Sequence, residues 1–535
     1  MRIQRKLALV VLLFLMKTTW GQYDLPEEYT WVGEVYENLL HSMHYDGRVP
    51  KLKIAEKEDL MAYAIVDELG SEIGVEEKTL RILEEFGDRK KDALAPILAH
   101  ELVHVVIQRK ERDQSMSKFE VEEALAEQQK VMEGEADQLG ILLAKIAGYD
   151  VIGFFPSVIE RLYQEYDLPA EMPGYPTLNN RRLSAEELKA LDDKAKLYEA
   201  ANYYSLLGLH ESAIGLYEYI NNDQEGLFVI PECYNNIAVN YLLSALPYIE
   251  AKSPDMVYPI QIDLYSRLEI VRKSSGDSEN SHRVRSLLEG AENALMKAIQ
   301  HNPRYAAAQI NYACLYDIES KYESALGKIK DVLLYAEGED YANAQLMKGI
   351  IHAHLGEKNP AGDAFSEAKS GPYILPKEHA KANIRKLKNK HTSMPRIHTS
   401  SVWNNEKMDG ITLELISSYR DAGKIYDIAV SNQDPILNLG LISFEHSQAY
   451  ILRKEVSGKE DWYFMQITNA DYPGISGQGI RIGDKEEKII SAYRSEPKTI
   501  RFVSEGKALI YEEQGIVFIV NDEHEVTKWL VFGTE

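Results

Sequence analysis

Residues 92 to 108 read DALAPILAHELVHVVIQ, an apolar segment interrupted by His100, Glu101 and His104. Its apolar residues recur at helical spacing, with Pro96 expected near the first turn, where a missing N–H costs least. On a helix, positions four apart share a face, so His100 and His104 present their imidazoles side by side. Two such histidines with a glutamate after the first form the arrangement that holds one zinc ion and sets Glu101 beside the reacting water as general base. A zinc hydrolase also needs a third protein ligand and an open fourth position. The next long helical segment, residues 118 to 148, opens with a capping box, Ser117 to Glu120, and is crowded with acids. Most of them, including Glu120, Glu122, Glu123 and Glu127, read as a solvated face. Among the glutamates of this segment, Glu133 alone has an aspartate, Asp137, four positions later. One of the pair can bind the metal while the other accepts a hydrogen bond from a ligand histidine. Gly134, Ala136 and Gly140 would let this helix pack closely beside the metal.

The rest of the chain differs in texture. It has 535 residues, 45% apolar and 27% charged, enough for about three domains. With 60 basic and 84 acidic side chains, the formal charge of −24 argues against a nucleic-acid binder, which normally carries a basic stripe. Arg2, Arg5 and Lys6 precede the apolar run Leu7 to Met16, and the small residues Thr19 and Gly21 follow. Residues 1–21 therefore read as a secretory signal peptide, too short in its apolar run to span a bilayer. No cysteine follows that run as a lipid acceptor, and no later stretch reaches bilayer length, so the mature chain is expected to be exported, periplasmic or secreted, without a transmembrane span. Cys233 and Cys314 lie far apart in helical segments and read as two buried thiols rather than a disulfide.

Residues 191–390 read as helical repeats. Ala291, Leu295, Ala298 and Pro303 match the second helix of a tetratricopeptide unit. Further units are marked by Ala313, Tyr316, Ala325 and Ile329; by Gly349, His352, Ala361, Phe365 and Ala368; and by Ala201, Tyr204, Ala213 and Tyr217. The segment Tyr234 to Leu243 reads as a first half separated from its partner by a long insertion. His352 and His354, two apart, face different ways and make no shared metal site. Residues 391–402 read as a linker. Residues 403–535 carry β-branched and aromatic runs between turns and form a β-rich module. Within it, Gly479 to Tyr493 is expected to make a strand, a Gly-Asp turn and a short helix.

HELVH followed by EGEAD resembles the HExxH…ExxAD signature of the gluzincin peptidase family M-48. Tyr175-Pro176-Thr177-Leu178-Asn179-Asn180-Arg181 resembles the family's HPxxxxR element, with Tyr175 where the family has His. Met61 to Ala64 and Glu72 to Val75 resemble the strands that precede its zinc helix. The resemblance covers roughly residues 45 to 190. Joined to a signal peptide and C-terminal repeats, the chain is most similar to the family's exported, BepA-like branch. The expected fold is mainly α and multidomain: the resemblance implies an α+β zincin-type metalloprotease domain over 22–190, the repeat spacing a tetratricopeptide solenoid over 191–390, and, outside the resemblance, the strand-like runs a β-rich module over 403–535. The resemblance also implies one Zn2+ held by His100, His104 and Glu133, with Asp137 behind them and Glu101 as catalytic base. Tyr175 would polarise a carbonyl, and Arg181, or in competition with it Arg182, would stabilise an oxyanion. The expected partners are protein or peptide substrates and proteins bound through the repeats, in an envelope quality-control role. Competing readings are an assembly or chaperone factor with a latent or structural zinc site, and a hydrolase of small or cell-wall peptides.

Overall fold

The structure, a computed structural model, describes residues 25–42, 49–55, 61–67, 70–113, 122–221, 230–249, 256–260, 278–388, 407–408, 411–412, 418, 424–429, 436–501 and 506–534. The expected signal peptide, the capping box and the linker lie outside these residues. The chain divides into two compact units, Met1–Lys196 and Leu197–Glu535.

In the first unit, Val32, Val35, Tyr36 and Leu39 follow the i, i+3, i+4, i+7 pattern of one helix face, and all four are fully buried. Their helix, α1 (Thr30–Ser42), packs on the long helix α3 (Lys90–Asp113), which carries the two histidines. Before α3 come a small sheet and the short helix α2 (Glu77–Glu84). The sheet orders β1 (Lys51–Ala55), β3 (Gly70–Glu76) and β2 (Ala62–Asp67), with β1 parallel to the central β3 and β2 antiparallel to it. The two segments expected to be strands thus pair as a hairpin, Tyr63 opposite Gly74. Helix α3 begins at Lys90, so Pro96 lies inside it rather than in its first turn. Burial of Ala93 to Ala95, Leu98, Ala99, Leu102, Val103 and Val105 holds the helix through that break. Helix α4 (Glu122–Ile146) pairs with α3, and α5 (Phe155–Glu165) and the single turn α6 (Leu178–Arg181) follow. Helix α7 (Ala185–Leu206) crosses the boundary between the units.

The second unit is built from helix pairs and one sheet. Helix α7 is followed after three residues by α8 (His210–Asn221); α11 (Ala306–Ile318) by α12 (Tyr322–Val332); and α13 (Gly338–His354) by α14 (Lys358–Ser370). α15 (Ile374–Leu387) ends the series. α9 (Pro231–Ala245) packs on α10 (Ser278–His301), so the expected half-unit does find its partner beyond the insertion. Ala201, Ala213, Tyr217, Ala291, Ala298, Ala313, Ala325, Ile329, Ala361 and Phe365, which mark the repeat in the sequence, are all buried where helices meet. Cys233 and Cys314 are buried thiols not joined in a disulfide, and the Cys314 thiol lies 3.5 Å from the Met347 sulfur. His352 and His354 do turn apart: His352 Nδ1 meets Glu357, whereas His354 Nδ1 meets the buried Asp317.

The C-terminal strands form an eight-stranded antiparallel sheet: β10 (Lys498–Arg501), β11 (Lys507–Tyr511), β12 (Ile516–Val520), β13 (Val526–Thr534), β9 (Lys459–Thr468), β8 (Ser447–Val456), β7 (Ile436–Ser443) and β6 (Lys424–Ala429) in that order. A two-stranded ribbon, β4 (Lys407–Met408) and β5 (Ile411–Thr412), pairs separately from the large sheet and buries Met408 in the same core. One face packs Phe464, Phe518 and Trp529 against the short helix α16 (Glu486–Tyr493). Residues 480–482 are not the strand expected there. Local hydrogen bonds between Ser476 and Ile480 occupy that backbone, and Ile480 inserts into the core instead. Toward the helices, Glu199 of α7 accepts hydrogen bonds from Lys528 at 2.6 Å and Tyr450 at 3.3 Å, and Lys454 pairs with Glu211 of α8.

Gly349 of α13 sits under Phe365 of α14, where an added Cβ would lie 2.5 Å from the ring. Gly349→Ala is expected to lower stability by about 1–3 kcal/mol through overpacking. Denaturant unfolding of the two chains checks this, and equal midpoints would show that the ring moves aside freely.

Candidate metal centre

One helix seam builds the site. Pro96, His100 and His104 rise at four-residue intervals along α3, while Glu133, Asp137 and Gly140 rise at intervals of four and three along α4. A Cβ on Gly140 would lie 2.9 Å from the His100 backbone nitrogen and 3.1 Å from the Pro96 carbonyl oxygen. The two helices therefore touch backbone to backbone at His100, and a larger residue at 140 would wedge them apart. Gly134 does not share this task, because its nearest neighbour would be Pro176 at an ordinary 3.9 Å.

The close approach brings three ligand atoms together. Nε2 of His100 and Nε2 of His104 are 3.0 Å apart. The Glu133 carboxylate oxygens lie 3.3 Å from His100 Nε2 and 3.4 Å from His104 Nε2. These are the residues that sequence spacing singles out, and together they form a cluster able to hold a metal ion. A tetrahedral zinc with bonds of about 2.0–2.2 Å spaces its ligands about 3.3–3.6 Å apart; both Glu133 distances lie in that range, and the two histidine nitrogens, at 3.0 Å, would part by a few tenths of an ångström to take the ion. Two imidazole nitrogens facing each other beside a carboxylate need a proton or a cation between them. The protonated form of the cluster has that character. Burial acts to lower the His100 pKa, but hydrogen bonds to Asp137 and Glu133 outweigh it and raise the pKa to about 10. For Glu133, burial acts to raise the pKa, yet the two histidines hold it well below the carboxylate range.

The groups behind the cluster orient it. Nδ1 of His100 lies 3.0 Å from Asp137 Oδ1, which leaves Nε2 facing His104 and Glu133. Arg181, at the end of α6, grips Asp137 with both Nε and Nη2, at 2.9 and 2.7 Å. Burial alone would raise the Asp137 pKa, and Arg181 and His100 reverse this and keep it low. The guanidinium expected at an oxyanion is thus engaged as the clamp on Asp137. Arg182 lies farther out, 3.8 Å from Glu160. Glu101 is buried, and burial raises its pKa against the opposing pull of His100 and His104. A raised carboxylate holds a proton more readily than an ordinary one, as a group that both takes and returns a proton must. The Tyr175 hydroxyl is also pushed up, first by burial and then by Glu133, so it stays protonated and able to donate.

No protein-family model matches the chain, and no curated protein matches it. Among solved structures it is similar to a thermophilic TPR protein of Thermus thermophilus, at 16% identity over 48% of this chain and 97% of that one. The TM-score of that match is 0.26. Among the described residues, no helix is long and apolar enough to cross a membrane.

Removing the Arg181 clamp leaves a buried carboxylate short of its partner. Arg181→Met is expected to cost about 3 kcal/mol, and Arg181→Met combined with Asp137→Asn to recover much of it. Denaturant unfolding of the four chains in this cycle measures the coupling; additive losses would mean the two side chains act independently.

Proposed function

We propose that the chain is an exported zinc-dependent metalloendopeptidase, of the kind found in peptidase family M-48, that hydrolyses protein substrates in the periplasm or outside the cell. The observation that carries this reading is the convergence of His100, His104 and Glu133 at 3.0–3.4 Å, with the buried Glu101 next in sequence to the first ligand. His100, His104 and Glu133 would hold the ion. Zinc, when bound, supplies a Lewis acid that polarises a carbonyl and makes water acidic enough to attack at neutral pH.

The chain's own residues do the rest. Glu101 takes the proton from the attacking water and returns it to the departing amine, two transfers for which its raised pKa suits it. Tyr175 keeps its proton and donates a hydrogen bond to the substrate carbonyl oxygen. Asp137, clamped by Arg181, holds the His100 ring in the orientation that directs Nε2 toward the other two ligands. The helix pairs of the second unit, in this reading tetratricopeptide units, recruit protein substrates or partners for envelope quality control.

Glu101→Gln keeps the volume and removes the proton acceptor. It is expected to lower the turnover of an unfolded protein by about 10²–10⁴-fold while the zinc content, measured by elemental mass spectrometry, stays at that of the unsubstituted chain. His104→Ala should lose the metal itself. Unchanged turnover by Glu101→Gln, with complexes still assembling, would instead support a repeat-based assembly factor whose zinc is structural.

A further inference from the structure

The connection between α9 and α10 runs from Leu246 to residue 277, or 32 residues, whereas three residues join α7 to α8, α11 to α12 and α13 to α14. Its described stretch Met256 to Ile260 contacts three later helices, the first members of successive steps in the series: α11 through Asp317, α13 through the His354 ring and α15 through Asn383. α13 packs against both of its neighbours in this set.

The contacts have the form of peptide recognition. The fully buried Asn383 of α15 reads the backbone of Val257 twice: its Oδ1 accepts from the Val257 N–H at 2.8 Å, and its Nδ2 donates to the Val257 carbonyl at 3.0 Å. That is the pair of bonds a neighbouring β-strand would supply, delivered by one side chain and blind to the side chain at 257. The next residue is read by its hydroxyl. Tyr258 donates at 2.6 Å to Asp317 of α11, a carboxylate also held by His354 of α13 at 2.9 Å. Pro259 brings no N–H that would need a partner, and it biases Tyr258 toward extended backbone. Met256 and Ile260 bury the two ends of the stretch.

From this geometry we infer that Asn383, Asp317 and His354 form a peptide-binding seat, and that residues 256–260 are its internal occupant. The partner it fits is an extended protein segment with an apolar residue, any residue, Tyr, Pro and an apolar residue in sequence. Such a segment competes with a tethered copy of itself, whose effective concentration is on the order of millimolar. This inference concerns the second unit and is independent of the metal centre's chemistry.

The test uses the full chain and a fluorescein-labelled peptide of residues 254–262, PDMVYPIQI. Fluorescence anisotropy should give at least tenfold tighter binding to Tyr258→Ala than to the unsubstituted chain, with Tyr258→Phe in between. A peptide carrying Phe in place of the tyrosine should bind the Tyr258→Ala chain at least tenfold more weakly than the Tyr peptide, since the buried Asp317 then loses the hydroxyl and keeps only His354. Should Tyr258→Ala fail to fold, hydrogen exchange at the Val257 amide of the unsubstituted chain decides, and millimolar peptide should speed it several-fold. A folded Tyr258→Ala chain that gains no affinity, equal binding of the Tyr and Phe peptides, or Val257 protection indifferent to peptide would each overturn the inference.

Discussion

The absence of a side chain at Gly140 sets the separation of α3 and α4, and the metal centre follows from that separation. With backbones in contact there, the positions one and two turns back along α4 fall opposite His100 and His104. Asp137 then reaches one nitrogen of His100, and Glu133 reaches the remaining nitrogen and that of His104. A buried group of four charged or polar side chains is costly unless each has a partner. Here every member has one: Arg181 for Asp137, Asp137 and Glu133 for His100, Glu133 for His104, and both histidines for Glu133. The apolar body of α3 excludes water from the same seam, which strengthens each of these pairings.

In the second unit, polar contacts serve attachment rather than chemistry. Glu199 on α7 binds Lys528 of β13 and Tyr450 of β8, so one carboxylate ties two strands to the first helix of the series. Sheet and helices thereby share one compact unit, although their sequences differ sharply in texture. Helix pairs stack through small residues, and the sheet closes on an aromatic core of Phe464, Phe518 and Trp529. The two kinds of packing meet at side chains that no local pattern marks.

What sequence made legible was whatever depends on short-range spacing. The four-residue interval between His100 and His104, and again between Glu133 and Asp137, is a helical face written directly in the chain. The small residues of the repeats work the same way, which is why Ala313, Ala325 and Ala361 lie where the pattern puts them. Pro96 was harder, since tertiary burial of α3 overrides a local helix breaker. The partner of Arg181 was not legible, because Asp137 is 44 positions away and either a substrate or a carboxylate would satisfy a guanidinium equally well. Asn383 and Val257, 126 positions apart, meet without any pattern in either segment. Residues 480–482 looked like a strand because β-branched residues alternate there, yet turn hydrogen bonds claimed their backbone first.

The two buried cysteines have a consequence for any compartment that oxidises thiols. Cys233 belongs to α9 and Cys314 to α11, so they report on different helix pairs. Neither can be alkylated or oxidised until the helices packed around it part, for Cys314 including α13, which carries Met347, because the reactive thiolate requires solvent. Their reaction rates are therefore two separate clocks for local opening along one series of helices, and the order in which they run records where that series comes apart first.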